Sequence, residues 1–145
     1  MKEIKILLIE DDLDHADLIT EVLEENNIEK EVILIKDGQE AIDYFEKVGM
    51  DEKEDATSKV ELILLDLKLP KVDGMEVLKF LKKNPRYCSI PVVILTTTSE
   101  HKTVIAGYKN GVNSFITKPI SFEEFVEKIK ILKKYWLKTC TLPIR

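Results

Sequence analysis

Short runs of aliphatic residues recur along the chain, and most of them are continuous instead of alternating with polar residues. Continuous aliphatic runs are typical of strands that are buried on both faces of a parallel sheet. The pattern predicts five strands, the last of them the weakest, at residues 4–9, 32–35, 60–65, 92–95 and 114–117.

Segments with a helical repeat of apolar residues lie between and after these runs, and we expect each apolar stripe to face the core. The five stripes are Ala16, Ile19, Val22 and Leu23; Ala41, Ile42, Phe45 and Val48; Val77, Leu78 and Leu81; Val104, Ile105 and Tyr108; and Phe122, Phe125, Ile129, Leu132 and Trp136. Strands that alternate with helices predict an α/β fold with a parallel sheet, right-handed crossovers and helices on both faces.

Local signals place several helix ends. The third helix should end at Asn84, because the residue before Pro85 avoids the helical region. Ser121 and Glu124 form a capping-box pattern at the start of the fifth helix. Gly111 suits a stop after the fourth helix.

The length of 145 residues fits one domain. We assign residues 1–138 to that domain and residues 139–145 to a C-terminal tail. Residues 49–59 are polar, charged and without a repeat. They predict a solvated loop between the second helix and the third strand, with a partner contact as the alternative.

The composition excludes several classes of protein. A formal net charge of -5 argues against a nucleic-acid-binding protein, which usually has a basic face. The first residues show no signal-peptide pattern, and no apolar run is long enough to span a bilayer. Cys88 and Cys140 lie in no metal-binding pattern and are interpreted as ordinary thiols of a reducing compartment. We therefore expect a cytoplasmic protein that binds neither nucleic acid nor membrane.

Acids, a hydroxyl and an amine stand where the predicted strands end. They are Glu10, Asp11 and Asp12 after the first strand, Asp66 after the third, Thr96 at the end of the fourth and Lys118 after the fifth. Ligands of open α/β sheets bind beyond the carboxyl ends of the strands. We therefore expect these groups to converge at one edge of the fold.

Carboxylates gathered at one edge repel one another in a partly desolvated site, so a positive charge must offset the repulsion. Mg²⁺ suits a site with few protein oxygen ligands, and Lys118 supplies a further charge. A carboxylate beside such a cation can act as a nucleophile toward a phosphoryl group, giving an aspartyl phosphate.

The strand-end motifs, taken in order, resemble those of a response-regulator receiver domain over nearly the whole chain. The resemblance is carried by residues 6–12 (ILLIEDD), 64–70 (LLDLKLP) with Asp73-Gly74, 91–96 (PVVILT) and 115–119 (FITKP). It implies a flavodoxin-like, doubly wound sheet of five parallel strands in the order 2-1-3-4-5 with five helices.

The resemblance also implies a metal site. Asp66 would accept the phosphoryl group, and Asp11 and Asp66 would ligate Mg²⁺ directly. Glu10 would act through water, and the backbone carbonyl of Lys68 would be a further ligand. Asp12, which follows the acid pair, is treated as secondary.

Further roles are implied for the last two strand ends. Thr96 would hydrogen-bond the phosphoryl group, and Lys118 would form an ion pair with it. Phe115 falls at the position of the switch aromatic; it lacks a hydroxyl, so ring rotation remains as the available motion. We expect a cis peptide bond before Pro119, which would turn the Lys118 amine toward the carboxylates.

A narrower resemblance concerns the single-domain regulators that serve phytochrome-type histidine kinases. It is carried by the charged loop after the second helix, Lys68, residues 96–99 (TTTS) and residues 136–143. It implies a histidine kinase as partner and an output by protein contact or by relay to a downstream phosphotransfer protein. The protein would promote only its own phosphorylation and dephosphorylation.

Three other functions fit the sequence less well. Phosphatases of the haloacid-dehalogenase type carry a second aspartate two positions after the first, where this chain has Lys68. A receiver-like module that is never phosphorylated would not need the full set of acids, threonine and lysine. A flavodoxin-like cofactor binder would need a phosphate-binding loop after the first strand.

His15 and His101 each stand alone at a helix start and are interpreted as surface residues.

The fifth helix and the tail predict a homodimer. Val126, Ile131, Tyr135 and Leu137 add apolar groups outside the core-facing stripe, and the tail is apolar for a frayed end. Two-fold symmetry is the default for small oligomers. The alternative is that the tail folds back over its own domain.

Overall fold

The computed structural model describes residues 4–25, 30–49 and 60–143. Strands and helices alternate throughout this part of the chain, and a short π-helix continues the last α-helix. The elements are β1 (Ile4–Ile9), α1 (Leu13–Glu24), β2 (Lys30–Ile35), α2 (Gly38–Gly49), β3 (Val60–Leu65), α3 (Gly74–Lys83), β4 (Val92–Thr96), α4 (His101–Lys109), β5 (Ser114–Thr117), α5 (Phe122–Lys133) and the π-helix (Lys134–Thr139).

The five strands form one parallel sheet in the order β2-β1-β3-β4-β5, which confirms the predicted fold. Ile9 lies level with both Ile35 and Leu65, and Leu65 lies level with Ile94. β4 continues two residues further, to Thr96, which lies level with Thr117 at the end of β5. Because the strands are parallel, the segments that follow them emerge at the same edge of the sheet.

Side chains that alternate along the strands fill two cores, one on each face of the sheet. Leu7, Ile9, Ile63 and Leu65 pack with α2 and α3, whereas Ile6, Leu8, Leu62 and Leu64 pack with α1 and α5. Every one of these residues is buried. This two-sided burial is the reason that the strands read as continuous aliphatic runs.

The predicted stripes of α1 and α3 are buried, as expected. In α2, Ala41 and Phe45 are buried and Ile42 is half-buried, while the side chain of Val48 lies outside the described residues. In α5, Phe125, Ile129 and Leu132 are buried.

Two stripe predictions are wrong in part. Ile105 and Tyr108 of α4 are exposed, because this helix meets the sheet through buried Gly107, whose missing side chain leaves room for the Phe115 ring. Phe122 is the first residue of α5 and is 68% exposed, since that helix reaches the core only from Phe125 onward.

The helix ends agree with the sequence signals. Asn84 caps the end of α3, and Gly111 follows α4 with a positive φ of 96°. The Ser121 hydroxyl accepts a hydrogen bond of 3.4 Å from the Glu124 N–H. The cis peptide bond expected before Pro119 is wrong, because none of the described peptide bonds is cis. Residues 50–59 of the predicted loop lie outside the described residues.

The end of α5 and the π-helix are hydrogen-bonded to the rest of the domain at the edge of the sheet opposite the acids. Lys133 donates to the carbonyls of Val22 (3.0 Å) and Glu25 at the end of α1. Lys30 donates to the Leu137 carbonyl at 3.3 Å and to the Glu61 carboxylate. No helix in the described ranges is long and apolar enough to cross a membrane.

These ties correct part of the expectation for the fifth helix. Val126, Trp136 and Leu137 pack against the core of their own domain, so Val126 and Leu137 are not spare apolar surface. Ile131 and Tyr135 remain 65% and 52% exposed.

Candidate metal centre and phosphoacceptor site

Three carboxylates meet at the carboxyl edge of the sheet. The Glu10 N–H donates to the Ile35 carbonyl at 2.9 Å and the Asp66 N–H to the Ile9 carbonyl at 3.0 Å, so the ladder of the sheet extends one residue past β1 and β3. Glu10 and Asp66 are buried and Asp11 is exposed. Each offers a carboxylate oxygen, and these oxygens lie within 4.8 Å of one another, an arrangement that suits a divalent cation with oxygen ligands.

Lys118 lies between the two buried acids. Its N–H donates to the Thr96 carbonyl at 2.7 Å, which fixes the backbone just beyond β5. Its ammonium, also buried, contacts Glu10 Oε1 and lies 3.1 Å from Asp66 Oδ2. The trans peptide bond before Pro119 therefore does not keep this amine from the carboxylates.

The two buried acids differ in their proton affinity. Burial acts to raise the pKa of Asp66, but the Lys118 charge and the polar side chains of Thr96, Glu10 and Lys118 together outweigh it, so the pKa lies below its usual value. Burial raises the pKa of Glu10 to about 7, because the hydrogen bond from Lys118 only partly offsets desolvation and the Asp66 charge adds to it. Asp66 is therefore the better ionised of the two at neutral pH.

The Thr96 hydroxyl lies beside Asp66 without a well-formed hydrogen bond. Thr96 is fully buried at the end of β4, and its Oγ1 meets the geometry of a hydrogen bond with no group of the described structure, although it is near enough to Asp66 to lower the pKa of that carboxyl. A buried hydroxyl without a partner costs roughly 1–3 kcal/mol. The site therefore has a ready donor for an additional anionic group.

The loop after β3 is pinned on both sides. The Lys68 N–H donates to Asp66 Oδ1 at 3.2 Å, and the Gly74 N–H donates to the Leu67 carbonyl at 2.8 Å. The Gly38 N–H, at the start of α2, donates to the Pro70 carbonyl at 3.2 Å. The segment that carries the Lys68 carbonyl is thus held close to Asp66.

Asp12 has a local role in helix capping. Its Oδ1 accepts hydrogen bonds from the N–H groups of Asp14 (3.0 Å) and His15 (3.2 Å), which satisfies the free donors at the start of α1. This agrees with its treatment as secondary to Glu10 and Asp11.

Phe115 lies on β5, half-buried against the core beneath α4. Its N–H donates to the Tyr108 hydroxyl at 3.2 Å. A groove of about 580 Å³ opens beside it, lined in part by Tyr108, Tyr135 and Trp136. Phe115 is thus in contact with the interior and borders this open surface.

His15 was missed by sequence reasoning. Its Nδ1 lies 3.0 Å from Lys118 Nζ and its ring meets Phe125 edge to face at 5.2 Å, so the surface interpretation is wrong for this residue. Its place in the first turn of α1, beside the acidic segment, was the available signal. His101 is exposed, as predicted.

An open parallel sheet with acids, a hydroxyl and a lysine at its carboxyl edge defines a receiver-type domain. The chain belongs to the response regulator receiver domain family, whose family model matches residues 6–130.

Relatives of similar length support the assignment. The response regulator Rcp1 of Synechocystis sp. is 40% identical over 138 residues, covering 95% of this chain and 92% of that protein. The crystal structure of its Mn²⁺-bound form superposes with a TM-score of 0.87 over 96% of this chain and 98% of the other. The phosphorylated cyanobacterial phytochrome response regulator RcpA is 38% identical to this chain. Its crystal structure superposes with a TM-score of 0.86 over 96% of this chain and 97% of the other.

Receiver domains bind Mg²⁺ or Mn²⁺ in an acidic pocket, and Glu10, Asp11 and Asp66 form such a pocket here. The prediction of Mg²⁺ as cofactor is therefore confirmed. So is the prediction of a response regulator of a two-component system, close to the phytochrome response regulators.

Proposed function

We propose that Asp66 is the phosphoacceptor of this response regulator and takes a phosphoryl group from a histidine kinase. The observation that carries this proposal is the buried ammonium of Lys118, which bridges Glu10 and Asp66 beside the unpaired hydroxyl of Thr96. An ionised carboxylate, a fixed cation and a free donor form the set that phosphoryl transfer requires.

In the transfer step, an oxygen of the Asp66 carboxylate attacks phosphorus. A bond forms between that oxygen and phosphorus while the phosphorus–nitrogen bond of the phosphohistidine breaks, and its electron pair stays on the imidazole of the kinase. The low pKa of Asp66 keeps the attacking group ionised at neutral pH. The protein thus promotes its own phosphorylation and, by attack of water on the same phosphorus, its own dephosphorylation.

The other site residues would bind and stabilise the transferred group. Asp11 and Asp66 would hold Mg²⁺ directly, Glu10 through water, and the Lys68 carbonyl would be a further ligand. The cation supplies positive charge to the oxygens of the transferring group. Lys118 would pair with one phosphoryl oxygen, and Thr96 would donate its hydroxyl to another.

We infer a phytochrome-type histidine kinase as the partner because the phytochrome response regulator RcpA and the response regulator Rcp1 are 38% and 40% identical to this chain over nearly its whole length. Apolar side chains stand exposed around the acceptor: Leu13 at the start of α1, and Ile120 and Phe122 just after Lys118. Such a rim offers contact area to a protein donor without blocking the carboxylate. The output would be protein contact or relay to a downstream phosphotransfer protein in the cytoplasm, without nucleic-acid or membrane binding.

A homodimer through α5 and the tail is also proposed. Ile131 and Tyr135 remain exposed beside the groove that Phe115 borders. Two copies related by a two-fold axis would each cover these side chains of the other. Residues 1–138 would form the receiver domain, and residues 139–145 would form a tail that contributes to this contact.

The proposal is tested with acetyl phosphate and Mg²⁺. We expect one phosphoryl group per chain, labile to base and mapped to Asp66 by mass spectrometry. Asp66→Asn should abolish labelling, whereas Asp37→Asn, at the aspartate after β2 on the same sheet edge, should not. Stoichiometric labelling of the Asp66→Asn variant would refute the assignment, and turnover of generic phosphomonoesters would favour a phosphatase.

A further inference from the structure

The ammonium of Lys118 has three hydrogens, and the structure gives each a different acceptor. Two are the carboxylates Glu10 and Asp66, which belong to the acidic pocket. The third is Nδ1 of His15, at 3.0 Å, which reaches the ammonium from α1 and offers the pocket no carboxylate.

The chemistry of this third contact is defined by the donor. An ammonium cannot accept a hydrogen bond, so Nδ1 of His15 must be the acceptor and the ring must be neutral, with its hydrogen on Nε2. A protonated ring would place two positive groups 3.0 Å apart. His15 therefore acts on Lys118 as an uncharged acceptor.

The three acceptors differ in what the reaction asks of them. Asp66 becomes bonded to phosphorus and Glu10 contributes to the metal site, so both exchange partners during phosphoryl transfer. His15 has no such second task. It is the one acceptor of the three that can hold Lys118 unchanged from the free to the phosphorylated state.

We propose that His15 is a positioning residue, which holds the ammonium of Lys118 over the acceptor carboxylate while the two acids change partners. The proposal rests on the assignment of Asp66 as the phosphoacceptor.

The surroundings of His15 fit this role. Its backbone N–H is fixed by Asp12 at 3.2 Å, in the first turn of α1. Its ring meets the edge of Phe125 on α5, and the side chain is 32% exposed. Asp12 Oδ2, at 3.6 Å from Nδ1, is the other charged group near the ring. The imidazole is thus held between two helices with its acceptor nitrogen toward Lys118.

Two substitutions separate positioning from packing. His15→Asn keeps an acceptor near the position of Nδ1 but loses the ring, whereas His15→Leu keeps apolar volume against Phe125 but loses the acceptor. The readout is the rate of Asp66 labelling by acetyl phosphate at saturating Mg²⁺. We expect His15→Leu to lower the maximal rate about tenfold and His15→Asn to stay within about twofold of the original chain.

A second pair of variants tests whether the effect passes through Lys118. In a Lys118→Gln background, His15→Leu should change the remaining labelling rate by less than about twofold, because the positioned group is gone. A full additional tenfold loss in that background would overturn the proposal. With Lys118 intact, a normal labelling rate for His15→Leu and a reduced rate for His15→Asn would also overturn the proposal, because that order of rates indicates a packing role.

A third measurement does not depend on labelling. The ¹⁵N chemical shift of His15 Nδ1 should show an unprotonated acceptor at pH 7.5 and should move in Lys118→Gln. An Nδ1 that carries the hydrogen, or a shift unchanged by Lys118→Gln, would refute the contact. If the original chain is not labelled on Asp66 while this shift behaves as expected, the proposed function fails and the contact stands.

Discussion

At the scale of single residues, Glu10 and Asp66 share one ammonium and yet differ in proton affinity. Lys118 bridges them, but the pKa of Asp66 lies below its usual value whereas that of Glu10 is raised to about 7. Divergent pKa values in one pocket separate the roles of two carboxylates. Asp66 keeps the charge that a nucleophile needs, whereas Glu10 is partly protonated near neutral pH, and a further cation beside it would favour its ionised form.

This difference predicts how the stability of the metal-free protein varies with pH. Glu10 titrates near 4.5 in the unfolded chain and near 7 when folded, so the folded protein binds more protons between these values. Its contribution to the free energy of unfolding should therefore fall as pH rises from 4.5 to 7, by at most about 3 kcal/mol. Asp66 acts in the opposite direction and only below its ordinary pKa of 3.8.

Urea denaturation in EDTA at pH 5 and pH 7 checks this prediction. The fall in the free energy of unfolding should be smaller in Glu10→Gln than in the original chain, because the glutamine does not titrate. It should also be smaller in the original chain with saturating Mg²⁺ than in the same chain in EDTA. An equal change in the original chain and in Glu10→Gln would show that Glu10 is not the source.

Asp11 and Asp12 predict a second contrast at this scale. Asp11→Asn should weaken Mg²⁺ binding in titration calorimetry about tenfold more than Asp12→Asn, because Asp12 serves as the cap of α1 and an Asn there can still cap. Without metal, Asp11→Asn should be at least as stable as the original chain, since one of three repelling carboxylates is gone. A clear loss of metal-free stability would refute the repulsion argument.

Much of the site could be predicted from residue positions alone. Parallel strands end at one edge, so Glu10, Asp66, Thr96 and Lys118 had to lie near one another. The position of His15 in the first turn of α1 indicated this edge of the sheet, but its contact with Lys118 could not be predicted, because that depends on how α1 is rotated against β5 and α5.

At the scale of elements, the loop between β3 and α3 depends on close approach of backbone segments. A Cβ at Gly74 would lie 2.2 Å from the Asp66 carbonyl oxygen, and one at Gly38 would lie 1.7 Å from the Val72 carbonyl oxygen. A backbone carbonyl cannot rotate away from such a contact as a side chain can, so the whole segment would have to shift. The loop that carries Lys68 is therefore fitted between two glycines.

Gly74→Ala should accordingly destabilise the protein by about 3 kcal/mol or more and reduce Asp66 labelling, because the shift would displace the acceptor itself. Gly107→Ala is the matched control: its Cβ would meet side-chain atoms only, Cδ2 of the Phe115 ring at 3.2 Å and Cδ1 of Ile94 at 3.3 Å, and side chains can shift where backbone cannot. Chemical denaturation of both variants measures the difference. Equal losses would contradict the backbone argument.

The type and order of the elements followed from sequence because two-sided burial produces continuous strands, and apolar stripes mark helices α1, α2, α3 and α5. The face of α4 did not follow, since a glycine makes its contact and leaves no apolar signal. The sequence also did not predict the π-helical continuation of α5. Its Leu137 carbonyl accepts a hydrogen bond from Lys30, which lies far away along the chain at the start of β2.

At the scale of the whole molecule, association should depend on the exposed face of α5. In sedimentation velocity at high micromolar concentration, we expect a dimer for the full chain and a monomer for Ile131→Glu, because burying that charge in the contact would be unfavourable. Leu13→Glu, at an exposed apolar residue of α1, should leave the dimer intact.

A point substitution is the sharper test here because a chain ending at Lys134 would also lose Trp136 and Leu137, which pack on the domain's own core. The full chain and the shortened chain should nevertheless differ in the same sense. A monomeric full chain, with and without a phosphoryl mimic, would exclude the dimer.

The unpaired hydroxyl of Thr96 bears on how this protein responds to selection in the laboratory. Thr96→Val is nearly isosteric and removes a buried hydroxyl that makes no well-formed hydrogen bond in the free protein. A screen that rewards heat resistance alone would therefore tend to enrich this change, and its survivors would signal poorly. Thermostable libraries built on this scaffold would need a second screen for phosphorylation to retain the threonine.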